Sequence, residues 1–149
     1  MTITVSGEKE LKRKLLSLGA SMDEALLGGV ILTANDIRTD AIKSIHGVSP
    51  GRQVDRSRQG GGTYTHTAAA EGSAPNTDTG KLVSSVAVEK VANATYHIGS
   101  NLDYAEWLEF GTSKMSPRPW LNPAFRANEK NLIVNITEVV DTYIKRLPK

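Results

Sequence analysis

No cysteine occurs in the 149 residues, which excludes disulfides, thiolate metal sites and cysteine nucleophiles together. A chain of this size without covalent staples must be held by its core or by association. Nor is there an excess of either charge: 18 Lys and Arg stand against 16 Asp and Glu, a net of +2. A protein that wraps nucleic acid needs a concentrated basic face, and a near-balanced total does not suggest one. Long apolar runs are missing as well. No window approaches the roughly 20 apolar residues of a membrane span, and the opening Met1-Thr2-Ile3-Thr4-Val5-Ser6-Gly7-Glu8 has neither a basic region nor an apolar stretch of signal length. A soluble, unsecreted product with no membrane partner is expected, as one domain over residues 1–149.

Histidine is scarce too, with only His46, His66 and His97, placed at a helix end, in a glycine-rich loop and within a strand, where structural or surface roles are expected. Gly60-Gly61-Gly62 precedes Thr63 but lacks the lysine and the strand-to-helix setting of a phosphate loop, so it reads as a hinge. Asp103, Glu106 and Glu109 cluster, and Glu106 with Glu109 could share a helical face. Paired carboxylates can do acid–base work or hold a cation, but on a short exposed helix they read as its solvated side. No enzyme, cofactor or metal is expected.

What is present organises the chain. Ile3 and Val5 alternate with Thr2, Thr4 and Ser6, which reads as a short strand. Leu11, Leu15 and Leu18 recur at helical spacing, and this helix is expected to end at Gly19. Ser21 with Glu24 fits a capping box for a second helix. Its stripe runs through Met22, Ala25, Leu26, Val30, Ala34, Ile37, Ala41, Ile42 and Ile45 and stops near Gly47. Gly28 and Gly29 lie inside it and either admit a close neighbour or kink it. Residues 48 to 80 read as a long flexible loop, carrying Pro50, Arg52, Asp55, Arg56, Arg58, the three consecutive glycines and Pro75, with a short extended piece at Tyr64 and His66. From Leu82 to Glu89 the period becomes two, and a second strand at about residues 94 to 99 completes an antiparallel hairpin turning at Val91-Ala92-Asn93. Asp103 to Phe110 reads as a two-turn helix with Tyr104, Trp107, Leu108 and Phe110 on one apolar face. Pro123 suits a first helical position, and Phe125, Leu132, Ile136, Val139, Val140, Tyr143, Ile144 and Leu147 define one amphipathic closing helix. The expected class is α+β: a small antiparallel sheet with a long N-terminal helix and an amphipathic C-terminal helix packed on one face.

The segment from Tyr104 to Ala124 concentrates the unusual residues. Both tryptophans and three of the six prolines fall in it. Gly111 after Phe110 accepts a positive φ and permits an abrupt reversal, while Pro117 and Pro119 fix the backbone on either side of Arg118. The plain reading is a rigid link with buried anchors. The sharper one adds that it displays Lys114, Met115 and Arg118 toward a partner.

The run Tyr104-Ala105 through Leu108-Glu109-Phe110-Gly111-Thr112-Ser113-Lys114-Met115 to Pro117-Arg118-Pro119-Trp120-Leu121-Asn122-Pro123-Ala124 resembles the signature of tail-component, or neck, proteins of long-tailed bacteriophages and prophages. These are described as tail-completion, head–tail joining or minor tail proteins. The family usually has phenylalanine where this chain has Trp120, which keeps an aromatic anchor. A second family feature is matched by Pro75, Thr79-Gly80, Leu82 and Ser85, with one more residue than usual after the proline. The resemblance implies a structural virion protein of the neck or tail, assembled in the host cytoplasm. It would sit in a ring, a hexamer or dodecamer, around the genome channel, against connector, tail terminator or tail-tube proteins. It makes Tyr104, Trp107, Phe110, Gly111, Thr112, Lys114, Met115, Pro117, Arg118, Pro119, Trp120 and Pro123 the interface motif. Arg52, Arg56, Arg58 and Tyr64 add candidate loop contacts, including weak non-specific contact with genomic DNA. The alternative is a prophage-encoded DNA-binding or protein-interaction module.

Overall fold

The structure, a computed structural model, describes residues 8 to 92 and 95 to 146. In chain order these form α1 (Glu8–His46), β1 (Gln53–Ser57), β2 (Thr63–Thr67), α2 (Lys81–Ser85), β3 (Ala87–Ala92), β4 (Thr95–Gly99), α3 (Asp103–Phe110), α4 (Asn122–Asn128) and α5 (Asn131–Arg146). The α+β class, the long first helix and the closing helix are as the sequence predicts. The strand expected at Ile3 and Val5 lies outside the described residues.

Helix α1 does not stop at Gly19. It continues unbroken for 39 residues, about 58 Å at helical rise. One interior glycine costs only about 1 kcal/mol relative to alanine, too little to end a helix flanked by Leu, Ala, Met and Glu, and Ser21 with Glu24 fits a helix interior as well as a cap. Gly28 and Gly29 do not kink it; they let α5 lie against it. A Cβ on Gly29 would stand 2.6 Å from the Cα of Ile136, and one on Gly28 3.2 Å from a methyl of Val139. The two helices run antiparallel, with polar pairs beside the glycines. Tyr143 donates its hydroxyl to Glu24 at 3.1 Å. Asn135 donates to Thr33 at 3.0 Å and to Asp36 at 3.1 Å.

The expected single closing helix is two. Phe125 and Leu132 are separated by Arg126-Ala127-Asn128-Glu129-Lys130-Asn131, which interrupts the apolar stripe, and Asn128 turns inward at 4% exposure. Its amide donates to Asp40 at 2.8 Å and to the Ala124 carbonyl at 3.0 Å, while Asn131 donates to its oxygen at 3.0 Å. The Asn128 bond, more than that from Lys43, holds the Asp40 carboxyl below its ordinary pKa.

The core gathers on the C-terminal half of α1: Ile37, Ala41 and Ile45 meet Leu82, Val86, Ala105, Trp120 and Ala124. Leu82 and Val86 explain a second correction, because residues 81 to 85 form helix α2 where a strand is expected. A spacing of four places two side chains on one face of a strand and of a helix alike, so the alternation is ambiguous. The helical choice is fixed locally: Gly80 enters at φ 76°, and Ser84 and Ser85 return their hydroxyls to the Lys81 and Leu82 carbonyls at 3.0 and 2.7 Å. Arg38 ties the exit of α2 to α1, donating to the Val86 carbonyl at 2.8 Å.

Among the described residues the sheet is divided into two antiparallel pairs, β1–β2 and β3–β4. The second is the predicted hairpin, shifted so that Val91 and Ala92 belong to β3 instead of the turn. The first lies inside the segment expected to be a loop, so that connection is not structureless. Ala68 donates its backbone N–H to the Arg52 carbonyl at 2.8 Å, and a Cβ on Gly51 would stand 1.8 Å from the Ala68 oxygen. Asn76 completes the closure through Ser49, at 2.7 and 2.8 Å, and the Thr67 carbonyl at 2.8 Å.

The two interior glycines of α1 give opposite expectations. Gly29→Ala drives a methyl into the backbone of α5 and should destabilise by about 1–3 kcal/mol despite alanine's helix preference. Gly19, with open space around it, should gain up to about 1 kcal/mol as alanine. Urea melts of the two variants check this, and a Gly29→Ala protein as stable as the parent would refute the close packing.

Candidate assembly interface

Helix α3 buries Ala105 and Glu109 and turns Leu108 half inward. Glu109, read from the sequence as part of a solvated carboxylate face, is 9% exposed. Its two oxygens accept the backbone N–H groups of Trp120 at 2.8 Å, Leu121 at 2.9 Å and Asn122 at 2.9 Å. These donors open α4, whose preceding residue, Leu121, supplies no side-chain cap. A carboxylate from another helix thus does the capping, where the partial positive charge of a helix N-terminus favours an anion. Glu106 remains exposed.

The cap sets the rotation of α3 and with it the fate of the aromatics. Trp120 is 2% exposed and donates its indole N–H to the Ala105 carbonyl at 3.3 Å, the buried anchor the sequence suggests. The apolar face expected for α3 is otherwise mostly reversed: Tyr104, Trp107 and Phe110 are exposed, Phe110 at 68%. Phe125 of α4 is exposed as well.

Between α3 and α4 the chain makes the predicted reversal. Gly111 has φ 76°, and a Cβ there would stand 2.7 Å from the Met115 oxygen and 2.9 Å from Pro117. Thr112 and Met115 bridge across the turn at 2.8 and 3.3 Å. Of the residues expected to face a partner, Lys114 is exposed and Met115 half-buried. Arg118 is half-buried and engaged with backbone: its N–H donates to the Leu108 carbonyl at 2.7 Å and its Nε to the Ala69 carbonyl at 3.0 Å. Pro119 is half-buried, whereas Thr112, Pro117 and Pro123 are exposed, Pro123 in the first turn of α4.

The β1–β2 hairpin holds the candidate loop contacts in a defined arrangement. Arg56 pairs with Tyr64 across the strands. Asp78 lies beneath them, accepting the Tyr64 hydroxyl and standing 3.7 Å from Arg56 Nε and 3.9 Å from His66 Nδ1. That hydrogen bond raises the Tyr64 pKa above the usual phenol value. Arg58 sits over the Tyr64 ring, 5.6 Å from its centroid. A cleft of about 560 Å³ separates hairpin from motif and brings Arg56, His66 and Asp78 opposite Tyr104, Met115 and Arg118. Arg52, Arg58 and Tyr64 do not line it.

A second, apolar groove of about 840 Å³ lies between β4 and the helices α3 and α4, with Phe110, Trp120 and Phe125 among its walls. Sequence reasoning missed it because its walls come from segments far apart in the chain; the out-of-phase aromatics of α3 are the one local hint.

A family model described as "Bacteriophage HK97-gp10, putative tail-component" matches residues 9–111. That span runs from the start of α1 to the reversal at Gly111, so the run from Lys114 to Ala124 lies beyond it. No curated protein and no solved structure matches the chain.

The two tryptophans should behave differently. Trp120→Ala should cost about 3–5 kcal/mol, and Glu109→Ala, which strips buried donors of their acceptor, about 1–3 kcal/mol. Trp107→Ala, on the exposed side, should change stability by less than about 0.5 kcal/mol. Thermal melts read all three; a Trp107 variant as damaged as the Trp120 variant would contradict the assigned orientation of α3.

Proposed function

Because the chain belongs to the HK97 gp10-like family of bacteriophage tail components, we propose that it is a non-enzymatic subunit of the phage neck, completing the tail or joining it to the head within a ring around the genome channel. The observation that carries this reading is the aromatic surface of α3. Trp107 and Phe110 are exposed on a helix whose rotation is fixed by the Glu109 cap. Large aromatics exposed on a rigid element are the anchors of protein interfaces, and an apolar patch of this kind on a single domain calls for a partner. Identical subunits and the connector, tail terminator or tail-tube proteins are the partners this role requires. The test is electron microscopy of particles made without the protein, where full heads and finished tails should accumulate unjoined. Trp107→Ala combined with Phe110→Ala should fold normally and reproduce the defect. Joined, infectious particles in either case would overturn the proposal.

A second reading, weak contact of the hairpin with the genome, is favoured by the alternation that sets Arg52, Arg56 and Arg58 on one side of β1. Arg56 is partly compensated by Asp78 and the Tyr64 ring is partly covered by Arg58, so the contact would be with phosphates and not by base stacking. Duplex DNA binding should then fall steeply with salt and weaken further in Arg52→Ala with Arg58→Ala. No binding to the parent protein at low salt would remove this reading.

A further inference from the structure

The cleft between the hairpin and the motif combines uncompensated positive charge with an apolar lining. Ile45, Pro75 and Leu82 are buried in it, and Leu108 and Met115 are half-buried. Arg56, Lys81 and Arg118 bring three cations to its walls against one carboxylate, that of Asp78. Asp78 is already engaged with Tyr64, Arg56 and His66. Among the described residues the Lys81 side chain has no partner, and the half-buried guanidinium of Arg118 meets only the carbonyls of Ala69 and Ser116. A guanidinium held in place by neutral acceptors presents its remaining N–H groups to an incoming carboxylate with little further ordering.

The outward face of α3 has the converse composition. At about 100° per residue, Asp103, Glu106, Trp107 and Phe110 fall within one sector of about 100°. All four are exposed, and neither carboxylate has a side-chain partner among the described residues. Carboxylates beside aromatic rings on one surface thus match cations beside an apolar lining on another. The two cannot meet within one molecule. Tyr104 and Leu108 of the same helix line the cleft and point about 130° away from the acidic, aromatic face, and the Glu109 cap fixes that rotation.

We propose that the outward face of α3 in one subunit docks into the cleft of a second copy. Trp107 and Phe110 pack against Leu82, Leu108 and Met115, and Asp103 and Glu106 pair with Lys81 and Arg118. Because the two surfaces differ, the contact is head-to-tail and closes a ring where the rotation permits. Opposite charges steer the approach and fix the orientation, while burial of the aromatic rings supplies most of the affinity. A nucleic acid suits the cleft less well, since phosphates would satisfy the cations and leave the apolar lining uncovered. The proposal deepens the neck reading and rests on it for the ring, not for the contact.

Charge exchange in the full chain, read by a zero-length carbodiimide, tests it. Applied to concentrated mixtures of isotope-labelled and unlabelled protein, and to assembled particles, the reagent should join Lys81 to Asp103 or Glu106, and half-labelled peptide pairs should show that the bond runs between chains. Lys81→Arg should keep the oligomer and lose this bond. Lys81→Glu and Glu106→Lys, both at exposed sites, should leave the melting curve unchanged and each weaken association between copies at least about tenfold. Combined in one chain they restore opposite charges across the contact and should recover most of that loss. No Lys81 coupling in either setting, coupling to a different virion protein, or a double variant no better than the singles would each overturn the proposal. So would a Lys81→Glu protein that loses duplex DNA binding with its association intact. Joined particles without the coupling would refute the contact and leave the neck reading standing; coupling in a protein that particles do not need would do the reverse.

Discussion

The carboxylate of Glu109 joins the two halves of this fold. Three backbone N–H groups at the start of α4 have it as their acceptor, and without it they would be stranded at the edge of the core, at a cost of about 1–3 kcal/mol in all. Holding them holds Trp120, whose ring closes the core against Ile37, Ala41 and Ile45. The same contact fixes α3 in rotation. With Ala105 and Glu109 one helical turn apart on the inner side, Trp107 and Phe110 fall on the outer side by geometry alone. The exposed aromatic surface and the buried aromatic anchor are therefore two consequences of one cap.

That arrangement explains which parts of the sequence were legible. The limits of α3, the proline in the first turn of α4, the reversal at Gly111 and the β3–β4 hairpin depend on local chemistry, and all appear in the structure, the hairpin with its boundaries moved. The orientation of α3 does not depend on local chemistry. Its pattern suggests Tyr104, Trp107 and Phe110 inside and the carboxylates outside; the aromatics instead face out and Glu109 in, while Asp103 and Glu106 stay exposed, because an acceptor for α4 is needed from across the core. Within α2 the positions of Leu82 and Val86 suit strand and helix equally, and only Gly80 and the two serines decide. The continuity of α1 through Gly19, and the break of the closing helix at Asn128, turn on differences of about 1 kcal/mol or on a partner as distant as Asp40. The sequence pattern did not weigh such terms. The candidate residues divide accordingly: Trp120 and Arg118 serve the fold, Trp107, Phe110 and Lys114 face outward, and Arg56 is bound into the hairpin by Asp78.

The α1–α5 pair depends on a different constraint. Gly28 and Gly29 lower intrinsic helix stability, each by up to about 1 kcal/mol, yet they occupy the position where Ile136 and Val139 approach most closely. Their cost is offset because close approach buries both helices along the contact and brings Asn135 within reach of Thr33 and Asp36. A continuous apolar seam would allow the helices to slide by a turn. Polar pairs spaced along it permit one register, since a shift would separate Asn135 and Tyr143 from their partners together. The helix is thereby held as a rigid rod relative to the core.

A rod fixed in that way determines what its end can do. Tyr143 lies opposite Glu24, so the described part of α5 covers only part of α1, and the first turns of α1 extend past Arg146. The same molecule displays large apolar side chains along α1, α3 and α5, among them Leu26, Leu32, Trp107, Phe110 and Ile133. For a chain with a net charge of only +2, weak electrostatic repulsion gives these surfaces little protection from one another. Rigidity of α1 and exposure of α3 therefore come from separate contacts: the glycines and polar pairs along α5 hold the first, and the Glu109 cap turns the aromatics of the second outward.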